Sequence, residues 1–381
     1  MDVLPKRSFF MSRFGPLTSR PDRSTALVLH VVEAFGGGVA AVLTDYVASL
    51  PELQHVVLAY RRPGVQIGNG LHGRAELIDL PDGKLAQIRA VQDAVNRLRP
   101  DVIHAHSSYA GGYVRLATRR HDARIVYSPH CYSFQRRDVP GMARAGFWMA
   151  EAALSFRTDA VAAVGEWEKE LAVRLPKRSK VVLVPHRVQL PADLPAPPLS
   201  NDGPVVTVGR IVPQKDPSFF ADAARDARLL GGDREWRWVG GGDERLERLL
   251  RDSGVTVTGW RPRDAVLREL VGAHAYVHTA AWEGNPVTVL EAASVGLPIV
   301  ARDIPPVRHA GVERLASTPI ELAQMVLELD DPLRRKIAME EAASFVSHTT
   351  ARSQSGALRD LYGLAAPSTN GRVPTRASAV R

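Results

Sequence analysis

The chain has 381 residues, of which 45% are hydrophobic and 24% charged, with one cysteine and a formal net charge of +8. That length exceeds one ordinary core and predicts two domains. The lone Cys131 excludes an internal disulfide framework, and no apolar run reaches the length of a bilayer crossing.

Residues 1–24 carry Lys6, Arg7, Arg13, Arg20 and Arg23 against Asp2 and Asp22. Residues 365–381 carry Arg372, Arg376 and Arg381 and no acid. Most of the positive charge therefore lies in two Pro-, Ser-, Thr- and Arg-rich extensions that read as disordered. The body is close to balanced, which argues against a nucleic-acid reader. Residues 1–24 also lack the continuous apolar stretch of a signal peptide, so a cytoplasmic location is expected.

The body opens with a compact apolar strand at 26–32, then Gly36, Gly37 and Gly38, then a helical pattern over 39–50. Strand, glycine turn and helix open a doubly wound α/β domain. The alternation continues: strand 55–60, helix 84–97, strand 102–105, helix 110–120, strand 124–127. Helix 142–156, strand 160–164, helix 166–173 and strand 181–184 complete a first domain, 25–190. Four prolines in residues 190–198 fit neither a helix nor a central strand, so 191–203 reads as a stiff linker.

The pattern then restarts in a second domain, 204–340. Strands are predicted at 205–208, 236–239, 255–258, 275–277 and 298–300. Helices are predicted at 219–230, 244–251, 265–271, 287–295, 320–329 and over segments of 332–362. Residues 341–364 read as a terminal helix returning to the first domain, before the tail 365–381. The fold class is α/β, with two Rossmann-like halves facing across a cleft, where ligands bind.

The most informative residues are Glu283 and Glu291. Gly284, Asn285 and Pro286 form a loop breaker, so Glu283 precedes a helix and Glu291 sits about one turn inside it. A helix N-terminus presents unpaired N–H groups and partial positive charge to a phosphate. Two carboxylates beside it suit sugar hydroxyls, and the combination suits a nucleotide sugar. Arg210 and Lys215 place two cations at the mouth of the same half, where a departing diphosphate needs neutralising.

These motifs resemble the retaining GT-B glycosyltransferases of family 4. Glu283 and Glu291 match the Glu-x7-Glu motif, and Gly209, Arg210 and Lys215 match its Gly-Arg and following Lys. Residues 239–243, with Gly241, match its glycine turn; residues 257–261, with Trp260 and Arg261, match its nucleobase turn. Residues 291–300 match its Glu-Ala segment. In the first half Gly37 and Gly38 match the family's glycine loop, and His130 its cleft histidine.

The resemblance implies Glu283, His130, Arg210 and Lys215 as catalytic groups. It implies donor binding by Gly37, Gly38, Arg210, Lys215, Gly241, Trp260, Arg261, Glu283, Asn285, Pro286, Val287, Thr288 and Glu291. The amides of Val287 and Thr288 would bind phosphate whatever their side chains. The implied donor is a UDP-sugar first and a GDP-sugar second, transferred with retention to a glycan, a lipid-linked acceptor or a small molecule. No cofactor is implied.

His104 and His106 hint at a metal, but the sequence shows no third ligand, and the chain has no Asp-x-Asp. No metal is expected. Ala280 and Asn285 depart from relatives, which often carry Ser or Thr and an aromatic there, close to the donor sugar. The stretch 134–156 mixes Arg136, Arg137 and Arg144 with Met142, Phe147, Trp148 and Met149. It suits either peripheral contact with an anionic membrane or packing on its own domain. Two other readings of the chain stay open. One is a nucleotide-sugar epimerase, betrayed by isomerised donor without acceptor. The other is a non-catalytic binding protein, betrayed by donor binding without transfer.

Overall fold

A computed structural model describes residues 24–61, 69–118, 123–177, 179–188, 190–191, 193–195, 202–346 and 351–364. Residues 1–23 and 365–381, which hold the charges of the two basic extensions, and residues 196–201 of the proline segment lie outside these.

The first lobe runs β1 (Leu27–Phe35), α1 (Gly37–Ser49), β2 (Gln54–Arg61), β3 (Glu76–Asp79), α2 (Lys84–Leu98), β4 (Val102–His106) and α3 (Ser108–Ala117). It continues with β5 (Arg124–Ser128), α4 (Gly141–Ser155), β6 (Ala160–Ala163), α5 (Glu166–Val173) and β7 (Lys180–Leu183). The strands are parallel in the order β3-β2-β1-β4-β5-β6-β7.

The second lobe runs β8 (Val205–Val208), α6 (Pro217–Leu229), β9 (Trp236–Val239), α7 (Glu244–Asp252), β10 (Thr256–Val257), α8 (Arg263–Val271) and β11 (Ala275–His278). Then come α9 (Val287–Ser294), β12 (Ile299–Arg302), α10 (Pro305–His309), β13 (Leu315–Ala316), α11 (Pro319–Leu327), α12 (Pro332–Val346) and α13 (Ala351–Tyr362). Its order, β10-β9-β8-β11-β12-β13, repeats that of the first lobe without the seventh strand. Both are doubly wound Rossmann-like sheets, the GT-B arrangement that the motifs implied.

Central strands buried on both faces explain the near-continuous apolar runs. Every residue of β4, β6, β8 and β11 is buried. Sequence patterning missed β3, because three of its four residues are exposed and two are acidic, so it lacks the apolar signal of its neighbours. It also missed β13, which is two residues long.

The predicted boundary at 341 needs correction. It falls inside α12, whose Ala338 and Ala342 pack in the second lobe's core. The helix that crosses back is α13, which buries Leu358, Leu361 and Tyr362 among residues of the first lobe. Gln354 fixes it there: its amide donates to the Pro185 carbonyl at 2.9 Å, and its oxygen accepts from Ser49 Oγ at 2.5 Å. Among the described residues, no helix is long and apolar enough to cross a membrane.

Candidate active site in the cleft

The second lobe contributes a chain of backbone turns at the C-terminal ends of its strands. Gly209 follows β8 with φ 151°, and a Cβ there would meet Lys215 Cε at 3.3 Å. Gly240 has φ 145°, and a Cβ there would sit 2.1 Å from the Gly209 oxygen. Only glycine allows this approach of two chain segments. Ile211 N–H donates to the Gly241 carbonyl at 3.0 Å, and Trp238 Nε1–H to the Gly209 carbonyl at 2.9 Å. Trp260 packs beside Gly241 and leaves its ring 58% exposed.

The short turn at Pro213–Lys215 is tied to the loop after β11. Thr279 Oγ1 donates to the Lys215 carbonyl at 2.8 Å, and Ala281 N–H to the Gln214 carbonyl at 2.9 Å. This pinning puts Lys215 Nζ 2.5 Å from Glu283 Oε2, with both side chains mostly buried.

Helix α9 starts four residues later. Its Pro286 cap supplies no side-chain hydrogen bond, and no acid occupies its first turn. Its amide end is therefore open to an anion. Thr288 is held from behind by a 2.6 Å contact with the Tyr276 hydroxyl. One turn in, Glu291 is 6% exposed and accepts from Arg263 Nε at 3.2 Å. Burial pushes the Glu291 carboxyl up, while Arg263 opposes that shift.

The first lobe meets this surface closely. A Cβ on Gly38 would lie 3.7 Å from Val287 Cγ2, so α1 and α9 bring their N-terminal ends face to face. A Cβ on Gly284 would lie 2.7 Å from Cys131 N. Asn285 Nδ2–H donates to the Val164 carbonyl at 2.6 Å. The Glu-Gly-Asn loop thus inserts between the His130–Cys131 turn and the end of β6. Farther out, His309 approaches Glu170 Oε1 at 3.1 Å.

The structure therefore joins Lys215 with Glu283, Gly38 with Val287, and Gly284–Asn285 with the His130 loop. Arg210 is exposed at the start of the Lys215 turn. Arg261 is exposed beside Trp260 and makes no hydrogen bond or ion pair among the described residues. Gly37 has φ 55° and open space where a Cβ would be.

Several groups in this region escaped the sequence reading. Arg263 is one; its only signal was a position two residues past the nucleobase turn. Asp45 on α1 is a second, and its carboxyl is pushed up to about 6 by burial, against the pull of Arg263 and Arg187. Glu168 is a third. Its fully buried carboxylate accepts from Cys131 N–H at 2.8 Å and Val164 N–H at 3.0 Å. It thereby holds the turn in which His130 and Cys131 adopt φ 51° and 92°. Burial pushes Glu168 up to about 7.

The third imidazole that the sequence did not show is also present. His30 joins His104 and His106, with ring nitrogens of all three within 4.8 Å of one another. His104 already uses both nitrogens, at 2.9 Å to the Tyr362 hydroxyl and 2.8 Å to Ser128 Oγ.

Two Rossmann-like lobes whose helix ends and paired acid and cation converge on one cleft define the GT-B class. The comparisons place the chain within it. Residues 37–187 match the glycosyl transferase 4-like domain, and residues 203–331 match the glycosyl transferases group 1 family. The chain belongs to these family 4, group 1 glycosyl transferases.

A relative from Escherichia coli, UDP-Gal:α-D-GlcNAc-diphosphoundecaprenol α-1,3-galactosyltransferase, is 27% identical over 233 residues. The match covers 54% of this chain and 58% of that enzyme. Sucrose-phosphate synthase from Thermosynechococcus elongatus has the same fold, with a TM-score of 0.73 at 16% identity, covering 88% of this chain and 98% of that one. S. aureus TarM, as a mutant in complex with fondaparinux, α-GlcNAc-glycerol and UDP, superposes with a TM-score of 0.72 at 10% identity over 89% and 100%.

Proposed function

We propose that the protein transfers a glycosyl group from a nucleoside-diphosphate sugar, with UDP as the first choice of nucleotide, to a glycan or lipid-linked acceptor. The observation that carries this reading is the convergence of Lys215, Glu283 and the open end of α9 on the face opposite Gly38 and His130. A cation and a row of amide N–H groups stabilise the charge that grows on a departing diphosphate. Glu291, one turn inside α9, is placed to accept from ribose hydroxyls once Arg263 yields it. Trp260 offers an exposed ring near the nucleobase turn.

In the proposed reaction the bond from the anomeric carbon to the diphosphate breaks as the acceptor oxygen bonds to the same face. The acceptor proton passes to the leaving phosphate oxygen, and configuration is retained. Lys215, Arg210 and the α9 amides take the neutralising role of a metal, so transfer should persist in a chelator. The named activity of the galactosyltransferase relative supports a UDP-hexose donor and a lipid diphosphate acceptor.

Helix α4 fits such an acceptor. It buries only Glu151 and Ser155, while Met142 is 87% exposed, Met149 66% and Trp148 43%. With Arg137 and Arg144 nearby, this face suits peripheral contact with an anionic cytoplasmic membrane surface. Salt-sensitive flotation with anionic liposomes, lost in Met149→Glu, would support it; salt-independent behaviour would refute it.

The central test is calorimetry with UDP and UDP-hexoses, followed by product analysis. Binding to wild type, loss of transfer in Lys215→Ala and an α-configured product are expected. A β-configured product, or isomerised donor without acceptor, would overturn the reading.

A further inference from the structure

Strand register brings histidines from separate parts of the first lobe together. His30 on β1 is the direct partner of His104 on β4, and His106 lies two residues farther along the same strand. His55 lies on β2, next to β1, and His130 follows β5. His30, His55 and His106 are buried; His130, at the cleft, is partly exposed.

Their nitrogens form one line of contacts. His55 Nε2 lies 2.9 Å from the Leu50 carbonyl oxygen. His55 Nδ1 lies 3.1 Å from His30 Nε2, and His30 Nδ1 lies 3.2 Å from His106 Nε2. His106 Nδ1 lies 3.1 Å from His130 Nε2.

A carbonyl can only accept, so that end of the line sets the direction. His55 must carry its proton on Nε2, which leaves Nδ1 as an acceptor. His30 must then donate from Nε2 and accept at Nδ1. The same step repeats at His106 and at His130. The order requires each ring to be neutral, because an imidazolium has no acceptor. Burial supplies that condition: it holds His30, His106 and His130 well below the ordinary histidine range, and lowers His55.

We propose that His55, His30 and His106 form a directional relay, anchored on the Leu50 carbonyl, that fixes His130 as the Nε2–H tautomer with Nδ1 as an acceptor for a substrate hydroxyl. His55, His30 and His106 are positioning residues, since they act through His130. Among the described residues, His130 Nδ1 has no hydrogen-bond partner. The turn that presents it is gripped from both sides, by Glu168 on the Cys131 amide and by Gly284 across the cleft. The tautomer assignment stands on geometry alone; the hydroxyl ligand rests on the proposed sugar transfer.

The test uses the full-length protein with ¹⁵N-labelled histidine. Long-range proton–nitrogen spectra report which ring nitrogen bears the proton. Wild type should show protonated Nε2 and bare Nδ1 at His55, His30, His106 and His130. In His55→Phe the anchor is gone, so His130 should populate both tautomers, and kcat/KM for transfer should fall by about threefold to tenfold, the effect of one misdirected hydrogen bond.

An Nδ1–H tautomer at His130 in wild type would overturn the relay. So would an unchanged His130 spectrum in a folded His55→Phe protein; if that variant does not fold, the wild-type spectrum decides alone. Stoichiometric zinc binding that shifts His30, His104 and His106 would also overturn it, replacing the relay by a metal centre. The expected tautomers without transfer from any donor would retain the relay and overturn the glycosyl reading instead.

Discussion

The two lobes share one strand order and differ in what their central strands carry. In the second lobe the core is mainly aromatic and aliphatic, with Phe220, Trp236 and Trp238 packed against alanines of α6. Its strands also bury the polar side chains of Thr207 and His278, with no line of histidines like the first lobe's among the described residues. Its cleft groups hang on loops beyond the strand ends. In the first lobe polar groups enter the sheet itself: His30, His104 and His106 lie within buried strands. One lobe places its candidate groups on loops over a mainly apolar scaffold. The other builds part of it into the scaffold, where every polar atom needs a partner.

The largest expected break in this comparison comes from the second lobe. Lys215→Ala removes the cation nearest Glu283 and should lower kcat by about 10²- to 10³-fold, the usual cost of deleting one preorganised charge-stabilising group. Lys215→Arg should restore part of it. His130→Ala in the first lobe should cost less, about tenfold, as it removes a neutral hydrogen-bonding group. Steady-state kinetics on both variants ranks the lobes. Equal losses would mean that His130 carries more than a hydrogen bond.

The same contrast explains what was legible in the sequence. The second lobe's groups are local: Glu283 and Glu291 lie eight residues apart, and Gly209 to Lys215 span one turn. Spacing along the chain carried their meaning. The first lobe's groups are assembled by register. Nothing in the sequence links His30 to His104, which are direct partners only because β1 lies beside β4. Glu168 sits in the first turn of α5, where an acid is ordinary, and its grip on the Cys131 amide appears only in three dimensions. The two Rossmann-like halves were readable because buried parallel strands are apolar throughout. Edge strand β3, exposed and acidic, was not.

A second test concerns a second-lobe pair, Arg263 and Glu291, that faces the first lobe. Arg263 bonds Glu291 and also acts on Asp45 of the first lobe. Glu291→Gln should weaken UDP binding by about tenfold or more, since hydrogen bonds to a charged group are the stronger kind. Arg263→Ala has a subtler effect. Arg263 opposes the upward push of burial on Glu291. Without it the carboxyl should protonate at higher pH, and the acid limb of UDP binding should move up. Calorimetry from pH 5 to 8 measures this; an unmoved limb would mean that Arg263 does not govern Glu291.

Gly284→Ala should have a smaller effect. Its Cβ would press on the Cys131 amide at 2.7 Å, a backbone contact that cannot swing aside. The lobes must then part slightly, which should raise the acceptor KM severalfold. Small-angle scattering would show the wider cleft. The matching change in the first lobe, Gly165→Ala, meets Asn285 at 3.5 Å and the Gly284 carbonyl at 3.8 Å, both ordinary contacts, and should be tolerated. If both variants behave alike, the loop insertion does not set closure.

The acid response of the first lobe is a sum over groups that oppose one another. Burial lowers His104 to about 3 and His186 to about 4. These rings resist protonation when folded, so they cost stability as pH falls below the ordinary histidine value. Asp45 and Glu168 are raised to about 6 and about 7. They take up protons more readily when folded, so they add stability as pH falls from those values towards the ordinary carboxyl range. Each group contributes about 1.4 kcal/mol per pH unit inside its window. Between pH 7 and 5 the two pairs nearly cancel. The relay rings His30, His106 and His130, all lowered, then tip the sum towards acid destabilisation. Melting curves should show a fall from pH 7 to 5, with first-lobe amides losing hydrogen-exchange protection before those of β8 and β11. Second-lobe amides opening first would assign the acid-sensitive group to His278, whose ring burial also lowers.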